Sequence, residues 1–250
     1  MNLLKLSFRF LKNHLKYTLL NVFGLAIGIS AAYILFGYAY FHMSFDDFHP
    51  ALDSKYRVLM HNQSSSGNVQ HYASTFSPVG ERLLADFPEV IDYVTVYERP
   101  SLISSIDFEK SFHEPRVCFA SDSFFKIFSF EVIQGDRNAD LKDIKTLLIS
   151  ERAAKKYFGD EDPINKVLYR NHDEEYIVKG VFKNPPANTH LQYDFIFSER
   201  AYAAIVEDNI YENWAWWDVY FAYIKTAPGT DIRVLENKLD DFMIKYRGDT

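Results

Sequence analysis

The sequence predicts an α+β (mixed α/β) protein in which one N-terminal transmembrane helix precedes a folded domain holding most of the chain. Three observations predict it. Residues 17–41 contain no Asp, Glu, Lys or Arg; strand-like and helix-like segments alternate across turn-rich breaks after them; and 48% hydrophobic with 24% charged residues is the composition of a chain with a core. At 250 residues the chain is long enough to bury that core. Its 22 Phe and 17 Tyr suit half-buried strands and membrane-interface positions.

The span comes first. Residues 19–40 read LLNVFGLAIGISAAYILFGYAY, and about 22 helical residues extend about 33 Å, enough to cross a hydrocarbon core of about 30 Å. A buried helix of such uniform apolarity needs protein on every side, which a chain this small supplies poorly. A cleavable signal peptide has an apolar region of only about 7 to 15 residues and a small-x-small cleavage site; this run is longer, and no such site follows before His42. Lys5, Arg9, Lys12 and Lys16 precede the span while Asp46 and Asp47 follow it, which places the N-terminus in the cytoplasm and the main domain outside. Residues 1–16 interleave Leu3, Leu4, Leu6, Phe8, Phe10, Leu11 and Leu15 with those cations, the pattern of a short amphipathic helix on the inner lipid surface. Residues 17–41 form the span and 42–250 the outer domain. Tyr33, Tyr38, Tyr40 and Phe41 supply an aromatic belt toward the outer interface. Gly24 and Gly28 form a G-x-x-x-G pair that permits close helix packing, with two incidental glycines as the competing reading.

In the outer domain, residues 55–61 (KYRVLMH) and 90–98 (VIDYVTVYE) have the β-branched and aromatic content of strands. Between them Ser77 is expected to cap a helix with Pro78 at its first position, running through Leu83 and Leu84 until Pro88 stops it. This makes a β-α-β unit. Residues 119–130 and 147–159 follow, separated by the polar GDRNADLKD stretch; Ser150 caps the helix ERAAKKYF and Gly159 ends it in a left-handed conformation. The acidic run Asp173-Glu174-Glu175 beside His172 reads as a solvated turn. Residues 175–183 and 193–198 read as strands around the stiff loop NPPANTH, and 219–226 as another strand ending at Pro228-Gly229. Ile232, Leu235, Leu239, Phe242, Met243 and Tyr246 fall on one face of a last helix.

Several chemistries are excluded. The net charge of −7, with all four cations of residues 1–16 unopposed there, leaves an acidic main body unsuited to nucleic acid. Cys118 is the one cysteine, so no internal disulfide and no thiolate metal cage forms. None of the ten glycines is followed by lysine, so the chain has no Walker A loop. H-E-x-x-H is absent and the eight histidines have no metal-ligand spacing. Ser123-Phe124-Phe125-Lys126 matches S-x-x-K, but Ala227 stands where K-T-G needs glycine and no S-D-N intervenes, so a plain amphipathic helix is the reading. No catalytic residue, cofactor site or metal site is assigned.

Three segments, in this order, carry a resemblance to a known family: the basic amphipathic N-terminus running into the span, residues 148–164 (LISERAAKKYFGDEDPI) and residues 176–191 (YIVKGVFKNPPANTHL). The chain resembles, over nearly its whole length, the MacB-like and FtsX-like permease subunits of bacterial ABC transporters, in their N-terminal span and periplasmic core domain. On these segments the matching residues are Ser150, Glu151, Phe158 and Gly159, then Pro186, Asn188, Thr189, His190 and Leu191. They are assigned structural work, with Pro185 and Pro186 stiffening the loop and Asn188 and Thr189 bonding local backbone, and a substrate contact at this loop is the competing reading. Asn165 departs from the pattern, where such proteins commonly have a glycine after Pro-Ile, and this bears on that turn's conformation.

The resemblance implies a porter-like α/β subdomain, residues 48–99 and 192–250, around an inserted β-rich subdomain, residues 100–191. It implies a bacterial inner-membrane permease, itself non-catalytic, that pairs as a homodimer or heterodimer with a cytoplasmic ATPase subunit and exports or extracts a substrate. ATP would be bound by that separate partner, and a periplasmic or outer-membrane partner is implied too. Family permeases carry further spans after the outer domain, so the chain is expected to be a fragment of a longer permease. A ligand-sensing ectodomain of a signalling receptor is the alternative, and an anchored extracytoplasmic hydrolase a third.

Overall fold

No proline interrupts residues 15–43, and they form a helix, α1 (Leu15–Met43). None of its side chains is buried, and it is long and apolar enough to cross a membrane. The structure, a computed structural model, describes residues 9–63, 67–136, 140–206, 209–215 and 219–248. Lys5 and most apolar positions of the amphipathic segment therefore lie outside the described residues, while residues 9–13 are helical. The chain divides into two compact units, Met1–Asp47 with Asn188–His190, and Phe48–Ala187 with Leu191–Thr250.

The second unit begins with a 3₁₀ turn, Leu52–Ser54, and the strand β1 (Lys55–Val58). The expected strand over residues 55–61 breaks at Leu59: Met60–Gln63 (β2) pairs instead with Val69–Tyr72 (β3) as a separate ribbon. Helix α2 (Val79–Asp86) and β4 (Val90–Glu98) follow. Pro78 rather than Ser77 is the N-cap of α2, and no side chain caps it, which corrects the expected Ser77 cap. The helix lies so close to β4 that a Cβ on Gly80 would sit 2.5 Å from Tyr93 Cδ2, so only glycine fits there.

Next come β5 (Ser101–Ser105), β6 (Ser111–Glu114), β7 (Val117–Ala120), the short helix α3 (Phe124–Ile127) and β8 (Val132–Gly135). They are followed by β9 (Thr146–Ser150), α4 (Glu151–Phe158), β10 (Val167–Arg170), β11 (Glu174–Phe182), β12 (Phe195–Ser198), α5 (Glu199–Ile205) and β13 (Tyr220–Thr226). The single terminal helix expected from the apolar face is two, α6 (Ile232–Glu236) and α7 (Leu239–Arg247), which meet at Asn237-Lys238. The face survives the break, because all six predicted apolar residues still pack on one cluster.

Among the described residues, eleven strands form one mixed sheet in the order β1-β13-β4-β7-β12-β9-β11-β10-β5-β6, with β8 also on β11. The predicted β-α-β unit is split: β13 lies antiparallel between β1 and β4. In the middle of the sheet alternation sends neighbours to opposite faces. Val117, Phe119, Leu147, Ile149, Phe195 and Phe197 join one cluster with Tyr157 of α4 and Tyr202 of α5. Cys118, Ala120, Leu148 and Ile196 join another with Phe124, Ile127 and Leu191. With both faces covered, β7, β9 and β12 are buried at every residue, which is why they read as continuous apolar runs. A third cluster packs α2, α6 and α7 over Val90 and Ile224.

Candidate functional site

Where a helix ends, its last carbonyls lack intrahelical partners and must find donors. At the end of α1, Ser44 is the C-cap, and its carbonyl oxygen accepts from Asn188 Nδ2 at 2.6 Å. The same amide donates to Ser44 Oγ at 3.2 Å. Two residues on, Asp46 takes φ 62°, a left-handed conformation that aspartate tolerates better than most side chains. Its N–H donates to the Asn188 carbonyl at 2.8 Å. Its carboxylate Oδ1 accepts from Thr189 Oγ1 at 2.5 Å and from the His190 N–H at 3.3 Å, while Oδ2 lies 2.7 Å from His190 Nδ1. Asn188, Thr189 and His190 thus clasp Ser44 and Asp46 across 144 and 143 residues of sequence. The carboxylate is only 22% exposed, so these bonds are partly shielded from water.

Asn188 and Thr189, expected to bond local backbone, bond Ser44 and Asp46 at the end of α1, the helix expected to be the span. Asp46 was visible in the sequence only as an acid flanking that span; no local signal marks it as a partner of residues 188–190.

The other matched residues form a second knot. Ser150 caps α4 as predicted, accepting from the Ala153 N–H at 3.2 Å, and its hydroxyl donates to Asp194 Oδ1 at 2.5 Å. Arg152 also pairs with Asp194. Glu151 Oε2 accepts from the Asn184 N–H at 3.0 Å, and Asn184 Oδ1 accepts from the Arg152 N–H at 2.9 Å. The segments 148–164 and 176–191 are thus joined directly. Phe158 packs on the core, Leu191 is buried, and the Pro186 carbonyl accepts from Gln192 Nε2. Gly159 has φ 66° and ψ −117°, a positive φ outside the left-handed helical well. Asn165 carries φ 62°, the conformation a glycine takes without strain and asparagine tolerates best among the rest. Gly24 and Gly28 lie on an open face of α1, with nothing within 4 Å of an added Cβ. The Ser123 hydroxyl donates to Asp92 Oδ1 at 2.7 Å.

A feature that sequence reading missed lies at the start of α5. A cleft of about 680 Å³ is lined there by residues from α2, β4 and α5 and by Ser121 to Lys126. Glu199 is 6% exposed and has no hydrogen bond to its carboxyl group among the described residues. Burial, then the nearby charges of Asp122 and Glu81, raise its pKa from 4.5 to about 8. The folded state then holds a proton that the unfolded chain gives up, so this stability is present below 4.5 and lost as pH rises through about 8. Glu199→Gln, which cannot ionise, is expected to flatten that decline. Melting temperatures of wild type and variant across this range should diverge at the alkaline end and agree at the acid end.

The matched segments are joined in one mixed sheet domain beyond a single apolar helix, and a family model extends over the same region. The MacB-like periplasmic core domain matches residues 18–242. The chain belongs to this family. The resemblance read from the sequence is thereby borne out, as is the α+β class with its N-terminal apolar helix. The MacB-like fold is similar to a domain ascribed to a permease protein of Porphyromonas gingivalis, at 23% identity and TM-score 0.68, covering 80% of this chain and 84% of that one. It is also similar to the periplasmic region of MacB from Actinobacillus actinomycetemcomitans, at 12% identity and TM-score 0.58, covering 78% and 85%. The extracellular domain of the ABC-type transporter YknZ from Gram-positive bacteria aligns at 15% identity and TM-score 0.57, covering 78% and 96%. At such identities the likeness concerns the fold. No curated protein matches the MacB-like chain.

Proposed function

We propose that this MacB-like chain is the permease subunit of an ABC transporter, passing the motion of a separate cytoplasmic ATPase to an outer domain for export or extraction of a substrate. In this reading α1 crosses the bacterial inner membrane with its N-terminus in the cytoplasm, and the folded domain is periplasmic. The chain does no covalent chemistry; ATP belongs to the partner subunit. Permeases pair as a homodimer or heterodimer, with Gly24 and Gly28 as a packing face, and a periplasmic or outer-membrane protein completes the assembly. Residues 48–99 and 192–250 form the porter-like part and 100–191 the insertion; the grouping of α2, α6 and α7 over β1, β4 and β13 supports that division.

Membership of the family supports the transporter assignment, and the observation that carries the mechanical part is the clasp. A covalent chain leaving a helix end is a loose coupling, whereas five polar contacts from Asn188, Thr189 and His190 to Ser44 and Asp46 resist separation of the two segments. A transport cycle shifts a two-state arrangement only through contacts that differ between the states. Affinity capture of the tagged chain from its own membranes should recover an ABC ATPase; recovery of a signalling partner without one would overturn the assignment. Asp46→Ala should leave that complex and its ATP hydrolysis in place. It should abolish the ATP-dependent change in spin-label distance between the two outer domains of the dimer. An unchanged distance response in the variant would remove the clasp from the mechanism.

A further inference from the structure

We propose that the cleft at the start of α5 binds a primary ammonium group of a small organic cation, with Glu199 as its counter-charge. The cleft is large enough for a small ligand, at about 680 Å³. Glu199 lines it, is 6% exposed, and offers two carboxyl oxygens that no described residue donates to. A buried polar group without a partner is a recognition element waiting for a donor.

The surrounding charges favour a cation. Asp122 and Glu81 act on Glu199 more strongly than Arg200 does. Arg200 is engaged, donating to Asp122 Oδ2 at 2.8 Å, and Lys142 is paired with Asp140 at 3.1 Å. Arg82 lies over the Tyr246 ring at 5.9 Å. Asp92 accepts from Ser123, while Lys126 and Glu212, of opposite sign, complete the lining. An entering anion would meet Glu199 and its acidic neighbours; an ammonium would satisfy the free oxygens with charge-assisted bonds. Tyr93 and Tyr211 line the same cleft, and burial followed by the Glu199 charge raises Tyr93 and pushes Tyr211 up to about 12. Both therefore remain neutral aromatic surfaces suited to an alkylammonium. No group of three or more metal-ligating side chains occurs among the described residues, so an organic cation fits better than a metal ion.

Binding of an ammonium requires Glu199 to lose its proton. With wild-type full chain in lipid nanodiscs, calorimetric titration with butylammonium is expected to show affinity rising about tenfold from about pH 7 to about pH 9, with a proton released at the lower pH. 1-Butanol, of the same size and uncharged, should bind at least about tenfold more weakly at the higher pH. Glu199→Gln should lose both the pH dependence and the preference for ammonium. Equal binding of the alcohol, a pH-independent affinity in wild type, or unchanged affinity in the variant would each overturn the proposal. The wild-type pH series stands without the variant, so a folding defect in Glu199→Gln leaves the test intact.

Discussion

Glu174→Ala is expected to destabilise the sheet domain by about 3–5 kcal/mol, because it strands a buried guanidinium. Arg170 is the largest fully buried side chain among the described residues, with its side chain 2% exposed. Its Nη1 donates to Glu174 Oε2 at 2.5 Å, its Nε donates to Ser101 Oγ at 3.0 Å, and its guanidinium lies 5.0 Å from the centre of the Phe119 ring. Glu174 also accepts from the Tyr176 hydroxyl at 3.0 Å. Removing the carboxylate leaves a cation in low dielectric with one neutral acceptor. Replacing Arg170 itself by methionine should cost less, since the carboxylate then left without its cation is 21% exposed and keeps the Tyr176 hydroxyl as a donor. Urea unfolding of the full chain, followed by near-ultraviolet circular dichroism, distinguishes these outcomes by the order of the midpoints. Equal midpoints for the two variants would mean that the pair contributes through packing alone.

Phe197→Ala is expected to cost a similar amount, about 3–5 kcal/mol, by a different mechanism. Phe197 is 1% exposed on β12, with ring centroids 5.3 Å from Phe119 and 4.6 Å from Tyr176. The strand is hydrogen-bonded on both sides, to β7 and β9, so the backbone cannot collapse into the space left behind. The urea midpoint should fall with an unchanged slope, and Phe197→Leu should recover most of the loss. A midpoint within experimental error of wild type would show that this face of the sheet is not the packed core described above.

Features encoded by neighbouring residues were legible in the sequence. Ser150 caps α4 because a hydroxyl three residues before a free N–H reports a local geometry, and β4 spans the predicted residues because its branched and aromatic side chains prefer an extended backbone. Partners distant along the chain were not legible. Periodicity says which face of a strand is apolar but not which strand lies beside it, so the insertion of β13 between β1 and β4 could not be read. Glu174, assigned to a solvated turn, begins β11 and neutralises Arg170; only the turn at Asn171 and His172, both with positive φ, was foreseeable from its polarity. The same limit hid the candidate site. Asn188, Thr189 and His190 stood out as a motif, but Ser44 and Asp46 are ordinary residues until folding brings them together. Glu199 was hidden because an acid at the first position of a helix is normally solvated and favourable there.

The place of β13 also governs when the domain can assemble. Lys55 in β1 pairs with Lys225 in β13, and β4 holds the other side of that strand. Until residue 226 has been synthesised, the first-made strands have ladder groups with no mate, and the entropy of a very long loop opposes their joining. Maturation is therefore expected to be slow and late, with an aggregation-prone interval before it. Chaperones or proteases acting in that interval would decide how much of the polypeptide reaches its working form.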